Sequence, residues 1–481
     1  MPESLRKKFI SGMVWTFIQN IAVRILGVVF TVFLARLLMP EDYGLIGMLS
    51  IFIAVSDVFI QSGFGQALIQ KRDCSDDDFS TAFYFNVSVS LFIYAILFFS
   101  APIIANFYHE PQLVAIMRVL SLNFVLGSFN IVQQSKLKKE MNFKPLAMLS
   151  LICSVISGIL GVVLAYLGFG VWALVAQTLS ATFIRVIVFP FYTKWHPNRP
   201  FNSNSFKHLW GYGSKILVTG VLEVLIRNLS NILIGRFYNK EQVGYFSKAR
   251  QFADIPALMT SSVLGEVTFP LLSEIQNDKT RHTAIYNKVT FNTILITFPV
   301  MILMALLAEP LVIILFTEKW ASCITLLQIF LLARIFLPLN FINASVLQST
   351  GETKLYMKLY FITGPISLIA VLISIPFGVE AMAWATLISN IIYYLVFTIV
   401  IGRKTGNRFL GQLWNWRFVF VSLLLMTICV CVSIHWFAGM WMKLIVGGFV
   451  GFGIYLICCW RFRLIDDDMK KMIFSKIKSR F

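Results

Sequence analysis

The chain has 481 residues, of which 58% are hydrophobic and only 13% charged, where soluble globular chains run at about 45–50% apolar and about 25% charged. With a mean hydropathy of +0.77, such a chain cannot clothe a water-exposed surface. That excludes a soluble enzyme, a secreted protein and a disordered chain, and leaves an all-α integral membrane protein. The net charge of +18 would suggest nucleic acid in a soluble protein. In a membrane protein it follows from the accumulation of Lys and Arg in cytoplasmic loops, so no nucleic-acid partner is expected.

Arg6, Lys7 and Lys8 precede an apolar run lasting to Leu38, too long for the hydrophobic core of a signal peptide. It is expected to be a first transmembrane helix with a cytoplasmic N-terminus. A bilayer-spanning helix needs about 20 mostly apolar residues. Fourteen stretches qualify, near 10–38, 44–70, 79–107, 113–135, 143–167, 170–193, 209–237, 243–270, 286–308, 323–349, 355–376, 379–402, 416–437 and 440–460. With the N-terminus inside, 28 Lys and Arg fall on the inner side and five on the outer: Arg36, Arg236, Lys240, Lys319 and Lys443. An error of one helix would scramble that alternation, so the asymmetry supports fourteen spans with both termini cytoplasmic.

The chain also resembles itself. Ala35-Arg36 through Glu41 to Gly44 aligns with Gly235-Arg236 through Glu241 to Gly244, and Phe169-Gly170-Val171-Trp172-Ala173 with Phe377-Gly378-Val379-Glu380-Ala381. A parallel repeat of six-helix lobes follows: an N-lobe over 1–200 and a C-lobe over 201–405 around a central cavity. Two further helices occupy 406–460 and a basic cytoplasmic tail 461–481. Lobes of this kind commonly rock against each other about a midplane site.

Charge at membrane depth is costly, so it usually faces a cavity or a partner. The spans contain the acids Asp57, Glu223, Asp254 and Glu266, and the bases Arg24, Arg118, Arg185, Lys215, Arg227, Lys248, Arg250 and Arg334. Arg118, Lys248, Arg185, Lys215 and Glu266 lie near span ends, from which they can reach the headgroups. Arg24, Asp57, Glu223, Arg227 and Arg334 fall near mid-depth. Steps of three and four residues place polar stripes on one face of four spans: Thr16, Asn20, Arg24, Gly27 and Thr31; Ser50, Ala54, Asp57, Gln61 and Gly65; Thr219, Glu223, Arg227 and Ser230; Ser247, Arg250, Asp254 and Ser261. A wet cavity between lobes requires such faces. The structural alternative is local neutralisation, Glu223 with Arg227 and Arg250 with Asp254, with Asp57 as a partner for Arg24.

Enzyme signals are absent. There is no Walker A loop, no Gly-rich nucleotide fingerprint and no HExxH. The seven cysteines show neither a disulfide framework nor zinc spacing, and the five histidines are scattered. No catalytic residue, metal or cofactor is expected.

Ala35-Arg36-Leu37-Leu38 followed by Pro40-Glu41-Asp42-Tyr43-Gly44 closely resembles the link between the first two helices of bacterial polysaccharide exporters. These are the Wzx-type flippases of the multidrug/oligosaccharidyl-lipid/polysaccharide superfamily. Ser62-Gly63-Phe64-Gly65 with Ala67-Leu68-Ile69-Gln70, Gly170-Val171-Trp172-Ala173-Leu174-Val175, Tyr245-Phe246-Ser247-Lys248-Ala249 and Phe269-Pro270-Leu271-Leu272-Ser273 are similar to later segments of the same proteins. The likeness covers most of residues 5–400 and looks closest to the colanic-acid and teichuronic-acid exporter branch.

The resemblance implies alternately opening lobes, a lipid-linked oligosaccharide cargo and basic cavity residues that hold its pyrophosphate. By helix and depth that role passes to Arg24, Arg227, Arg250 and Arg334, with Asn20 beside Arg24. Asp57, Glu223 and Asp254 are the candidate coupling or cavity acids. The expected function is a flippase of the bacterial plasma membrane, moving undecaprenyl-pyrophosphate-linked repeat units to the outer leaflet. Its expected partners are the lipid-linked cargo, membrane lipids, and a polysaccharide polymerase and glycosyltransferases. The rivals are a multidrug/cation antiporter of the same fold, whose site should be acidic and aromatic, a peptidoglycan-precursor flippase, and a non-transporting scaffold. An interior with eight basic and four acidic residues favours an anionic cargo.

Overall fold

The computed structural model describes residues 3–61, 64–71, 73–275, 278–405 and 409–464, apart from some side chains within the helices. The helices are α1 Glu3–Leu37, α2 Pro40–Gln61, α3 Phe64–Gln70, α4 Asp76–Tyr108, α5 Leu113–Leu120, α6 Leu122–Lys139, α7 Phe143–Tyr166, α8 Val171–Thr193, α9 Ser203–Phe237, α10 Lys240–Glu274, α11 Lys279–Leu306, α12 Ala308–Phe316, α13 Cys323–Arg334, α14 Phe336–Ser349, α15 Thr353–Ser374, α16 Val379–Thr405, α17 Phe409–Trp436 and α18 Met440–Arg461. Among the described residues there is no strand, and eleven helical stretches are long and apolar enough to cross a bilayer. The chain is a multi-pass membrane protein, and exposed Phe99, Ile103, Phe191, Phe449 and Trp460 are what lipid contact requires. The expected first, seventh and eighth spans lie in α1, α9 and α10, continuous helices of 35 residues each. They are not among the eleven. The expected basic tail, beyond residue 464, lies outside the described residues.

The chain forms two compact units, residues 1–247 and 248–481. In the first, α7 and α8 form a hairpin that packs along α1. Leu34 and Leu38 bury against Ala165, Ala173 and Leu174, and Gln19 Nε2 donates to Ser150 Oγ at 3.1 Å. Helix α9 lies along α2, where Asn231 Nδ2 donates to Ser50 Oγ at 3.2 Å. At the start of α2, a Cβ on Gly44 would overlap the backbone carbonyl of Lys240, and one on Gly244 would overlap that of Pro40. These positions are related by the 200-residue offset of the sequence repeat, and they make the same contact reciprocally. Only glycine allows two helix starts to approach so closely. Beside this crossing Lys240 Nζ meets Glu41 at 3.2 Å and Glu110 at 3.3 Å. Burial works against its charge, but the two carboxylates outweigh it and hold Lys240 above the ordinary lysine range.

In the second unit α11, α13, α14 and α16 form the packed centre, with α15 outside α16 and the α17–α18 hairpin against α11 and α12. Lys248 is 2% exposed, with its ammonium 5.7 Å from the Phe316 ring centre and 6.0 Å from that of Trp320. It is embedded among aromatic faces, not extended to a headgroup.

Two prolines explain two long-range contacts. Proline has no N–H, so a helical proline leaves the carbonyl four residues earlier without its donor, which in hydrocarbon must be supplied from elsewhere. Pro102 in α4 frees the carbonyl of Phe98, to which Arg118 Nε donates at 3.3 Å, with its guanidinium 4.4 Å from the Phe98 ring centre. Arg118 thus serves the helix backbone, where its position near a span end suggested reach to headgroups. Pro299 in α11 frees the carbonyl of Leu295, which accepts from the Tyr455 hydroxyl of α18 at 2.7 Å. Tyr455→Phe removes that donor and little else, so a loss of about 1–3 kcal/mol is expected. Thermal unfolding of the purified protein checks this, and an unchanged midpoint would show that Tyr455 does not serve this carbonyl.

Candidate functional site

The first unit contains a cavity of about 830 Å³. Helix α2 contributes Ala54, Asp57 and Val58; α3 contributes Gly65 and Ile69; α9 contributes Val224. The polar wall comes from α6, with Asn123, Asn130, Gln134, Ser135 and Lys138, and from α8, with Thr178, Thr182 and Arg185. On α6 the lining residues Asn123, Gly127, Asn130, Gln134 and Lys138 recur at steps of four, three, four and four. On α8 Thr178, Thr182 and Arg185 recur at four and three. Each set is one face of a helix turned to the same space.

The chemistry of this wall is specific. Asn130 is buried, and its amide donates to the Thr182 carbonyl at 3.5 Å. The side-chain carbonyls of Asn123 and Asn130 are buried and accept no hydrogen bond among the described residues. Two neutral acceptors, several hydroxyls and the Gln134 amide offer the mixed donors and acceptors that a polyhydroxylated ligand requires. The charged lining is Asp57, Lys138 and Arg185, two basic groups to one acidic. Lys138 is exposed in the last turn of α6, and Asp57 and Arg185 are half-buried. An arginine fork suits a phosphate oxygen pair better than a point charge does.

Of the residues singled out from sequence, Asp57 lines this cavity. Arg24 is half-buried on α1 and, among the described residues, does not belong to the lining. Arg227 is exposed on α9 and Arg250 half-buried on α10. The side chains of Asn20 and Glu223 lie outside the described residues, as do those of Lys215 and Glu266. In the second unit Asp254 of α10 is paired with Arg334 of α13, through Oδ1 and Nε, both largely buried. Sequence reasoning missed Asn123, Asn130, Gln134, Thr178 and Thr182, and placed Arg185 at the headgroups. Their signal is the three-and-four spacing just given, which is carried by neutral residues and is weaker than a charge.

Residues 33–325 match the family described as polysaccharide biosynthesis protein. The chain belongs to that family. It is 25% identical over 398 residues to the teichuronic acid biosynthesis protein TuaB of Bacillus subtilis (strain 168), covering 82% of each chain. It is 24% identical over 330 residues to the lipopolysaccharide biosynthesis protein WzxC of Escherichia coli (strain K12), covering 68% of this chain and 67% of that one. These agree with the resemblance seen in the sequence. Among solved structures, the lipid II flippase MurJ in an inward closed conformation superposes with a TM-score of 0.74 at 17% identity, over 94% of this chain and 98% of that one. The chain therefore shares the fold of that structure.

Proposed function

We propose that this polysaccharide biosynthesis protein is a flippase for polyprenyl-pyrophosphate-linked oligosaccharides, working by alternating access in the bacterial plasma membrane. The observation that carries the reading is the cavity of the first unit, with amides and hydroxyls over most of its polar wall and two basic groups to one acidic. A sugar chain cannot cross hydrocarbon unaided, because each unpartnered hydroxyl costs several kcal/mol. Asn123, Asn130, Gln134 and Thr182 take the place of water around the sugar. Arg185 and Lys138 hold the pyrophosphate near the inner ends of their helices, and Asp57 is the cavity acid. Arg24, Arg227 and Arg250 are further basic residues that the cargo meets during the cycle, and Arg334 first neutralises Asp254.

In this reading residues 1–200 and 201–405 are the two lobes, residues 406–460 a C-terminal helix pair, and there are fourteen spans with cytoplasmic termini. The cargo is made by glycosyltransferases on one side and consumed by a polymerase on the other. The rival cation antiporter calls for an acidic, aromatic site, whereas the polar wall of this cavity is basic and amide-rich.

The test is translocation of a fluorescent polyprenyl-pyrophosphoryl oligosaccharide in proteoliposomes, read by quenching from outside. Protein-dependent flipping is expected. Transport of organic cations without flipping would favour the antiporter. The topology has its own check. Single cysteines at Lys139 and Arg403 are expected to be shielded from an impermeant external thiol reagent, and one at Lys319 to be labelled. An externally labelled position 139 would overturn the orientation.

A further inference from the structure

The lining of the 830 Å³ cavity includes two glycines, Gly65 and Gly127, and they are glycine for different reasons. A Cβ on Gly65 would stand 3.2 Å from Ile131 Cγ2 and 3.2 Å from Ser135 Oγ, so the missing side chain lets α3 close on α6. A Cβ on Gly127 would meet nothing within 4 Å among the described residues. Gly127 lies inside α6, in regular helical backbone away from both ends. Neither a close approach nor a left-handed conformation therefore calls for glycine there. Glycine is also among the poorest helix formers. What Gly127 provides is open space on the cavity side of the helix.

Its neighbours on the wall give that space a chemistry. On the lining face of α6, Gly127 stands one turn after Asn123 and one turn before Asn130. At a rise of about 1.5 Å per residue these two amides are about 10 Å apart along the helix, with bare backbone between them. Their side-chain carbonyls accept no hydrogen bond among the described residues. A pyranose ring has the complementary form: a face of C–H groups and a rim of hydroxyls that can donate. Laid on the backbone at Gly127, its C–H face covers the helix surface and its rim reaches an amide at either end. A side chain at position 127 would project into the same volume and lift the ring away.

We propose that Gly127 is a specificity-determining residue, which seats one sugar ring of the cargo flat against α6 between Asn123 and Asn130. This rests on the reading of the cavity as the site of a sugar-bearing lipid, and adds to it a steric limit at one position of the wall. The seat bears on the sugar alone, because the basic groups of the lining, Lys138 and Arg185, lie elsewhere on α6 and on α8.

The test is binding of two fluorescent lipids to the purified full-length protein in nanodiscs: a polyprenyl-pyrophosphoryl oligosaccharide and the sugar-free polyprenyl pyrophosphate. The parent protein should bind the oligosaccharide form more tightly. Gly127→Leu should lower the ratio of the two affinities at least about tenfold, the scale of overpacking a filled site, and Gly127→Ala should lower it by a smaller factor. Gly127→Ala should also keep or raise the unfolding midpoint, because its Cβ meets open space and alanine is the better helix former. If Gly127→Leu fails to fold, Gly127→Ala decides alone. A parent-like ratio in the folded variants would overturn the seat and leave the cargo reading standing. Equal loss of both lipids would make Gly127 a residue of helix flexing or packing, and would overturn the seat as well. A parent protein that binds the two lipids equally would overturn the cargo reading, and the seat with it.

Discussion

Arg185→Ala is expected to cut translocation of the lipid-linked cargo by about 10- to 100-fold, the equivalent of one charge-assisted hydrogen-bond pair at about 1.5–3 kcal/mol. Arg185 is half-buried on α8, in the same helical face as Thr178 and Thr182, and opens on the 830 Å³ cavity. Its removal leaves the rest of the wall in place. Arg185→Lys should recover only part of the rate, because an ammonium lacks the fork that engages two phosphate oxygens. Lys138 is exposed, so solvent screens its charge and Lys138→Ala should cost less than Arg185→Ala. The comparison is made by proteoliposome flipping at matched protein level. Full activity in Arg185→Ala would remove it from the site and return the pyrophosphate to Arg24, whose own alanine variant belongs in the same series.

The difference between what the sequence reveals and what the structure adds lies in the range of the interactions. Helix positions were legible because each depends on about 20 apolar residues in a row. The likeness between residues 35–44 and 235–244 was legible because the glycine crossing constrains sequence at two places alike: Gly44 meets Lys240 and Gly244 meets Pro40. The proline effect was half legible. Pro102 and Pro299 announce a freed carbonyl, but the donors, Arg118 and Tyr455, are 20 and 160 residues from Phe98 and Leu295. The cavity wall is less legible because most of its residues are neutral. Asn123, Asn130 and Gln134 cost less to bury than an arginine and stand out less, yet their periodicity places them on one face.

Pairing was the hardest part to read, and Asp254 is the instance with the largest expected consequence. A local rule offers Arg250, one turn earlier on α10, and the structure also brings Arg334 from α13, 80 residues away. Residues one turn apart compete with every helix that packs against them, and sequence separation does not tell which geometry is better. Removing one member of a buried pair takes a partner from the other, typically at about 3–5 kcal/mol.

Arg334→Leu is therefore expected to lower the unfolding midpoint sharply, and Asp254→Leu to do the same. The double replacement should regain most of that loss, since an apolar pair of similar volume is often neutral or stabilising in place of a buried ion pair. The folded double variant also separates structure from transport. A cycle in which the two lobes exchange conformations needs contacts whose strength differs between states, and a charged interhelical pair can provide them. Translocation by the double variant is accordingly expected to stay at least about tenfold below the parent, the equivalent of 1.4 kcal/mol, despite its recovered stability. If stability and translocation return together, Asp254 and Arg334 only hold α10 against α13.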